Sequence, residues 1–398
     1  MIDKSELKDF AREFGLEIRV VEKDYVLGWL LAGIFQHQMA TGWVFKGGTC
    51  LKKCFFETYR FSEDLDFTIM ESNQLDQEYL INSFKAIAEW IYNESGIEIP
   101  YNLIRFDVFE NHRGGMAAQG RIAYRGPLQS KGDPPRIKLD LTNDEILVLD
   151  SVIRNVHHPY SDSPGNGIQM NCYRFEELFA EKIRALTERE RPRDLYDVIH
   201  LFRQAGNILD NSSIWIALEK KCGFKGISTP TMETFGKSGH FDELKAEWEN
   251  MLAHQLPALP SFEQFWEELP TVMEWLHKGV RKITKPVIPY GKMAIDDSWR
   301  PPSMISDWNT QTPIEKIRFA GANQLCVNIF HQDNYRLVEP YSLRRSKDGD
   351  ILLFAVEHDS NTIFPFPIEG IKSAEVTDIP FVPRYSIELT PSNLIFSG

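Results

Sequence analysis

The spacing of apolar residues near the start of the chain predicts two helices, followed by a strand, a tight turn and a third helix. Residues 5–14 and 20–36 repeat apolar side chains at helical spacing. Residues 43–45 are apolar and lead through 46–49, which include a glycine pair, into a helical pattern at 50–57. Because the first N–H groups of a helix have no partner within it, this turn is expected to present free donors to an anion.

Alternating patterns in the next part of the chain predict a sheet. Residues 64–69 alternate acidic and apolar side chains, as in a strand with one polar face. Further β-rich runs lie at 98–109, 120–124 and 136–142. Helical patterns lie at 74–93, 175–186 and 193–204. Strands outnumber helices in the middle of this region, which favours a mixed sheet with antiparallel pairs and flanking helices. We therefore predict an α+β fold.

The rest of the chain changes character twice, which predicts further divisions. Residues 209–284 have helical spacing, and prolines crowd into 285–313 as they do in linkers. The last residues, 314–398, return to short β-rich runs at 325–330, 335–338, 351–356, 362–366 and 385–389. Asp348-Gly349 is expected to form a hairpin turn between two of them. The predicted units are an α+β domain at 1–208, a helical extension at 209–284, a linker at 285–313 and a β module at 314–398.

Composition and charge narrow the kinds of protein that this chain could be. Its 398 residues suffice for two or three domains, and 42% hydrophobic with 25% charged residues is typical of globular proteins. A net charge of −13 disfavours nonspecific coating of nucleic acid, although it allows a locally basic cleft. Five cysteines without metal-ligand spacing predict free thiols in a reducing compartment. With neither a signal-peptide pattern nor an apolar run of membrane-spanning length, we expect a cytoplasmic protein without a membrane partner.

Three acidic residues on the predicted strands are candidate metal ligands. Asp64 and Asp66 are two residues apart on one strand, so both side chains point to the same face. Asp140 lies between apolar residues on another alternating strand and is the candidate third carboxylate. Mg²⁺ prefers a few carboxylates together with phosphate oxygens of a substrate. The alternative for Asp140 is an ordinary strand residue that faces solvent.

The glycine turn supplies candidate phosphate ligands. Gly47 and Gly48 allow the backbone to approach a phosphate closely, and the helix after Thr49 begins with unpaired N–H groups. Lys46 and Lys53 add positive charge nearby. A glycine pair before a helix is more often a plain turn, but a glycine pair, a close DxD and a distant single acid in this order are more specific. The combination indicates nucleotidyl transfer, which needs metal ions and donors that hold a triphosphate.

Four segments match the motif order of a known family. They are residues 45–53 (FKGGTCLKK), 60–67 (RFSEDLDF), the helical stretch 177–186 that contains Lys182, and 193–197 (RDLYD). The chain resembles the AbiEii/AbiGii toxin nucleotidyltransferases of the DNA polymerase β-like superfamily, and the order and approximate spacing of the motifs agree over about half of its length. The resemblance implies a polymerase β-like catalytic domain at 1–208.

The same resemblance implies roles for the residues of the first two motifs. Asp64 and Asp66 would bind Mg²⁺ or Mn²⁺. Ser62 and the Gly47-Gly48 turn would hold the phosphates of an NTP.

The later motifs would complete the site. Lys182 would contact the triphosphate, and Asp194 would be a further acid that handles the acceptor hydroxyl, unless Asp140 does so. An alternative for Asp194 is that it caps its helix after Pro192. Lys182 could also be an ordinary solvated lysine on a helix.

Two segments of the C-terminal module, residues 336–345 (RLVEPYSLRR) and 352–355 (LLFA), match a known small domain. The module resembles the WYL-type domain, an SH3-like β fold of bacterial regulators, although the expected tryptophan-tyrosine-leucine position reads ILL. Tyr341, Arg344 and Arg345 are candidates for binding a nucleotide or nucleic acid, because an aromatic ring beside guanidinium groups suits stacking and phosphate contact. The alternative is an ordinary strand with exposed arginines.

The function that these patterns favour is transfer of a nucleoside monophosphate from an NTP to an acceptor. The resemblance implies a toxin-like enzyme of a toxin–antitoxin or phage-defence system, with a cognate antitoxin and with RNA, most often the tRNA 3′ end, as acceptor. One alternative is an antibiotic-modifying type of nucleotidyltransferase, against which the Lys182 and RDxxD motifs argue. Another is a regulator without catalytic activity, against which the complete set of acids argues.

Overall fold

The computed structural model describes residues 1–37, 42–111, 113–205, 211–236, 240–279, 285–302 and 312–390. The helices are α1 (Lys4–Phe14), α2 (Ile18–Gln36), α3 (Gly47–Cys54), α4 (Gln77–Ser95), α5 (Phe175–Arg189), α6 (Pro192–Ala205), α7 (Asn211–Lys225), α8 (Met232–Gly236), α9 (His240–Leu252), α10 (Phe262–Lys278) and α11 (Ile314–Asn323). The strands are β1 (Trp43–Lys46), β2 (Asp64–Ile69), β3 (Arg105–Glu110), β4 (Met116–Ala123), β5 (Arg136–Thr142), β6 (Val152–Asn155), β7 (Gln169–Cys172), β8 (Leu325–His331), β9 (Asn334–Arg345), β10 (Ile351–Glu357), β11 (Thr362–Pro367) and β12 (Ile371–Pro380).

A seven-stranded mixed sheet forms the centre of the N-terminal part, in the order β3-β4-β5-β2-β1-β7-β6. Strand β2 runs parallel to β5 and β1 parallel to β7, whereas the other neighbours are antiparallel. The alternation along β5 explains its place, because Ile137, Leu139 and Leu141 are buried while the charged residues between them are exposed. The predicted α+β class with a mixed sheet is confirmed. Strands β6 and β7 were not predicted.

Helices α2 and α4 pack together, and α4 covers the apolar face of the sheet. Phe84 of α4 packs on Phe106 of β3, with ring centroids 4.9 Å apart. A side chain at Gly33 of α2 would lie 2.7 Å from Ile87 of α4, so the two helices need a glycine at their closest approach. None of the helices in the described ranges is long and apolar enough to cross a membrane.

The region predicted as a helical extension packs directly on the helices that follow the sheet. It contains α7 to α10, and Tyr196 of α6 stacks on Phe265 of α10 at 5.2 Å. The apolar residues of these helices belong to the same core as those of the sheet. Residues 209–210, 237–239 and 280–284 of the predicted extension lie outside the described residues.

Three cysteines meet in the core behind the glycine turn. Cys50 and Cys54 are one turn apart on α3, and Cys172 ends β7, the parallel neighbour of β1. Their sulfur atoms all lie within 4.8 Å of one another and the side chains are buried. All five cysteines are free thiols, as predicted. Their wide spacing in the sequence gave no sign that three of them would be neighbours.

The C-terminal part consists of α11 and a five-stranded antiparallel sheet in the order β11-β10-β9-β8-β12. Four of the five predicted β-rich runs are strands, and the Asp348-Gly349 turn joins β9 to β10. The run at 385–389 is not a strand and makes a single bridge, between Glu388 and Ser342. The fifth strand is β12, which was not predicted, and neither was α11. In the described ranges β11 and β12 are the open edges of this sheet, and the SH3-like barrel stays a prediction.

Part of the predicted linker packs against this second sheet. Ile288 is buried, Tyr290 packs on Phe354 of β10 with ring centroids 4.8 Å apart, and Ile295 pairs with Ser346. The chain at 285–302 is therefore folded onto the β module. Residues 303–311 of the predicted linker lie outside the described residues.

Candidate active site

Three carboxylates share the polar face of the central sheet. Asp64 and Asp66 lie on β2, and Asp66 is paired directly with Asp140 on the parallel strand β5. Side chains at paired positions point to the same face, about 4.8 Å apart along the sheet. The expected placement of Asp140 beside the DxD pair is therefore found.

The environment of the site raises the pKa values of Asp66 and Asp140. The pKa of Asp66 is raised to about 6, first by burial and then by the charges of Asp140 and Asp64, although Lys46 and Lys182 oppose this change. Burial and the charge of Asp64 also raise the pKa of Asp140. The unmet negative charge at this place is what a divalent cation would neutralise.

The spacing of these carboxylates is more open than a closed cage of ligands. Among the described residues, the group whose ligand atoms all lie within 4.8 Å of one another is the Cys50, Cys54 and Cys172 set, not the acids. This openness fits Mg²⁺, which usually takes one or two carboxylates and completes its shell with water and substrate phosphates. Hard oxygen donors also suit this ion better than thiols do.

The glycine turn lies directly against Asp66. Gly47 has φ +80°, and a Cβ there would be 2.2 Å from Oδ2 of Asp66. A Cβ at Gly48 would lie 3.0 Å from Oγ of Ser62, which brings this serine to the turn. Both the conformation and the lack of space therefore require glycine at position 47. The Thr49 hydroxyl donates to the carbonyl oxygen of Asp64 at 2.5 Å and so ties α3 to β2.

Lys46 is buried at the end of β1 beside Asp66, its partner in the sheet. Its Nζ lies 3.5 Å from Glu181 and 3.8 Å from Glu145. Burial alone would lower the pKa of Lys46, but Glu181 and Glu145 outweigh it and raise the pKa above its ordinary value. Lys46 is thus a permanent positive charge next to the acids.

Lys53 is not brought to the site. Its side chain is buried on the other side of α3, where Nζ lies 2.6 Å from Asp24 of α2. Six residues separate Lys53 from Gly47, which at about 100° per residue turns its side chain well away from the glycine turn. The expectation that Lys53 would add charge near the phosphates is corrected by this ion pair.

Lys182 reaches the site from α5 and is held by Asp197 of α6. Its Nζ lies 2.8 Å from Oδ2 of Asp197. The Arg60 guanidinium donates two hydrogen bonds, of 2.7 and 2.8 Å, to the same carboxylate. Burial would raise the pKa of Asp197, but Arg60 and Lys182 hold it well below its ordinary value. Neither Arg60 nor Asp197 was predicted as a site residue, although both lie inside the quoted motifs.

Asp194 is buried in the first turn of α6, and both of its carboxylate oxygens are occupied. Nε and Nη2 of Arg189 each donate to it at 2.7 Å. It therefore does not cap the helix through its side chain, and an acid in this bidentate pair is poorly placed to accept a further proton.

The candidate ligand residues of the β module are engaged in internal contacts. Tyr341 is completely buried, and its hydroxyl donates to Glu339 at 2.9 Å, so its ring cannot stack on a ligand from solvent. Nε of Arg344 donates to the Tyr290 hydroxyl at 2.8 Å, and the guanidinium also pairs with Glu388.

Arg345 is the most accessible of the three. It pairs with Asp296 at 2.5 Å, and its side chain is 42% exposed. The predicted ligand site of Tyr341, Arg344 and Arg345 is thus corrected for Tyr341, because this side chain is part of the module's core.

Comparisons with known proteins identify the family to which the chain belongs. Residues 29–271 match the model of a family described as nucleotidyl transferase AbiEii toxin, Type IV TA system. No curated protein matches the chain. A crystal structure from H. pylori, described as a candidate nucleotidyltransferase, is 16% identical with a TM-score of 0.41, and the match covers 66% of this chain and 96% of that chain. The family match spans more than half of the sequence, so the chain belongs to the AbiEii nucleotidyl transferase family and is a nucleotidyltransferase.

Proposed function

We propose that this enzyme uses Mg²⁺ or Mn²⁺ to transfer a nucleoside monophosphate from an NTP to the 3′ end of an RNA, with tRNA as the favoured class. The observation that carries the proposal is that Asp64, Asp66 and Asp140 share one face of the sheet and that Asp66 lies directly against a glycine turn at the start of a helix. In a toxin–antitoxin or phage-defence system, a cognate antitoxin would oppose this activity. We further propose a cytoplasmic location and a WYL-like role for the C-terminal module.

The acids would bind the metal, and the glycine turn would bind the phosphates of the NTP. Asp64 and Asp66 would hold the metal, which when bound supplies positive charge that neutralises the transferred phosphoryl group. The backbone N–H groups of Gly47 and Gly48, at the positive end of α3, would receive phosphate oxygens of the NTP. The Ser62 hydroxyl lies beside this turn and would donate to the same phosphates.

Lys182 would donate to the triphosphate from the opposite side. Because Asp197 and Arg60 fix its ammonium group, little conformational entropy is lost when the nucleotide binds. The charge of Lys46 lowers the pKa values of Asp66 and Asp140 and so favours their ionised forms.

Asp140 is the preferred acceptor for the proton of the attacking hydroxyl. Its pKa is raised, and it lies on the same face as the DxD pair, whereas both oxygens of Asp194 are taken by Arg189. The acceptor oxygen would form a bond to the α-phosphorus while the bond to the β-phosphate oxygen breaks. Pyrophosphate would leave with the charge that Lys182 helps to stabilise.

The test is to incubate purified protein with each labelled NTP, Mg²⁺ and total cellular RNA, and to follow both labelled products and pyrophosphate. Wild-type protein should label one RNA class, and Asp64→Asn should abolish the label. Asp133→Asn, which changes an exposed loop acid, is the matched control and should behave as wild type. Full labelling by Asp64→Asn would refute the proposed mechanism. Label in a small molecule but not in RNA would refute the proposed acceptor.

A further inference from the structure

A row of basic side chains leads away from the catalytic acids across the central sheet. In the pairing of strands, Asp64 of β2 is opposite Lys138 of β5, Lys138 is opposite Arg121 of β4, and Arg121 is opposite Arg105 of β3. Directly paired residues point to the same face of a sheet. Arg105, Arg121 and Lys138, called here the basic row, therefore continue the polar face of Asp64 to the outer edge of the sheet.

The basic row is open to solvent. All three side chains are exposed, and the face that they occupy is opposite to the one covered by α4. Arg121 makes an ion pair with Asp107 at 3.1 Å, but the partners are 49% and 63% exposed, so this pair contributes little. Arg105 donates to the carbonyl group of its neighbour Ile104.

The basic row does not serve to stabilise the sheet. Like charges directly opposite each other on neighbouring strands destabilise a sheet, and here three follow in succession. The chain as a whole has a net charge of −13. Three basic residues at directly paired positions are therefore unusual for this chain. Asp107, Gln119 and Asp140 form the adjacent row, which is acidic or neutral.

The dimensions of the row suit a nucleic acid strand. Three steps between neighbouring strands of about 4.8 Å each give about 14 Å from Asp64 to Arg105. A stacked strand carries one phosphate per about 3.4 Å, so about four phosphates fit along this length. Lys138 lies next to the acids, and its charge lowers the pKa of Asp140, so the row begins at the site itself.

We infer that the basic row binds the phosphodiester backbone of a single-stranded RNA acceptor and guides its 3′ end to Asp64 and Asp66. This inference rests on the proposed transfer to RNA and adds where the acceptor lies. Arginine and lysine contacts of this kind read charge and spacing, not base sequence. The row therefore positions the acceptor, while selection of one RNA class must come from elsewhere on the protein.

The experiment compares two triple variants that change the net charge equally, from −13 to −16. The row variant carries Arg105→Gln, Arg121→Gln and Lys138→Gln. The control variant carries Lys4→Gln, Lys8→Gln and Lys85→Gln, exposed lysines on α1 and α4. Binding of a labelled single-stranded RNA of about a dozen nucleotides is measured against salt concentration, without NTP or metal. Transfer of NMP to the same RNA is measured separately, together with the KM for NTP.

The row variant should bind this RNA about tenfold or more weakly than wild type, and the slope of log K against log salt should fall by about 2, from three contacts of about 0.7 each. Its KM for RNA should rise while its KM for NTP stays unchanged. The control variant should keep the wild-type slope. Equal slopes in all three proteins would overturn the inference, as would displacement of the RNA by polyglutamate as readily as by unlabelled RNA, which would indicate an acidic protein partner. Row-dependent RNA binding without any transfer would support the row and refute the proposed function.

Discussion

Replacing Asp66 with asparagine should stabilise the metal-free protein at neutral pH while removing its activity. The pKa of Asp66 is raised from 3.8 to about 6, mainly by burial and then by the neighbouring acids. A carboxyl group with a raised pKa binds its proton more tightly in the folded protein than in the unfolded chain. Its ionisation therefore costs stability, and this cost appears as pH rises from about 4 to about 6 and is complete above pH 6.

The size of the effect follows from the shift. Roughly two pKa units at 1.36 kcal/mol each give about 3 kcal/mol of lost stability for the ionised wild type at pH 7.5. For a chain of this size, about 3 kcal/mol corresponds to a rise of about 3–5 °C in the Tm of Asp66→Asn. At pH 4 the carboxyl is protonated in wild type, so the difference between the two proteins should vanish. The variant should have lost its Mg²⁺-dependent transfer at every pH.

The assay is thermal unfolding of wild type, Asp66→Asn and the exposed-loop control Asp133→Asn in a chelating buffer between pH 4 and 8. Added Mg²⁺ should raise the Tm of wild type, because an ion that binds only the folded state stabilises that state. The Tm of Asp66→Asn should not change with Mg²⁺. A gap between wild type and Asp66→Asn that is constant with pH would refute the assignment of a raised pKa to this acid. A lower Tm for Asp66→Asn at pH 7.5 would show that its ionised form stabilises the fold.

Three further changes have distinct expected outcomes. Gly47→Ala should abolish transfer and lower the unfolding free energy in urea by about 2 kcal/mol or more, because it combines a φ of +80° with a Cβ 2.2 Å from Asp66; wild-type activity would contradict the geometry of the turn. Lys182→Met should raise the KM for NTP about tenfold or more and leave the fold intact, because Asp197 keeps its second partner; an unchanged KM would remove this lysine from the nucleotide site. Arg318→Leu should lower the unfolding free energy by about 3–5 kcal/mol, because the buried Glu57 and Glu315 both lose the guanidinium group with which they pair. A loss under about 1 kcal/mol would mean that the pairs are weak.

The elements with strong alternation were predictable from the sequence. Strands β2 and β5 were predicted with their observed bounds, because apolar and polar residues alternate along both. The shared face of Asp64, Asp66 and Asp140 followed from the same period of two. What the pattern could not give was the pairing of β2 with β5, which places Asp140 beside Asp66 and not elsewhere on the polar face.

Short or weakly patterned elements escaped prediction. Strand β7 has only four residues, Gln169–Cys172. They alternate polar and apolar, but four residues are too few to predict a strand, and the segment is a strand because it pairs with β1 and β6. Strand β12 alternates little and is mostly exposed beyond its buried residues Ile371 and Ala374. Tertiary pairing, and not local preference, decides such strands.

The site residues that were missed act across long sequence distances. Arg60 and Asp197 are 137 residues apart and meet only when α6 packs beside the segment before β2. Each was visible as a charged residue inside a motif, but a single sequence does not tell which charges pair. Lys53 was misplaced for the converse reason, since closeness in sequence to the glycine turn did not place it on the same side of α3.

The β module is more closely joined to the catalytic part than its proline-rich approach suggested. Phe319 of α11 and Leu325 of β8 belong to the main apolar core together with the sheet and α10. Arg318 is completely buried and pairs at 3.1 Å with Glu57, shortly after the helix that begins with the glycine turn. The hydroxyl of Tyr196, inside the RDxxD motif, donates to Asn323 at 2.8 Å.

Removing the module would expose this apolar surface and leave these polar groups without their partners. These contacts count against a truncation near Lys285 yielding a stable domain. The Arg318 pair joins α11 to the segment just after α3, and the Asn323 contact joins it to α6, so the module is anchored beside both helices that carry active-site motifs.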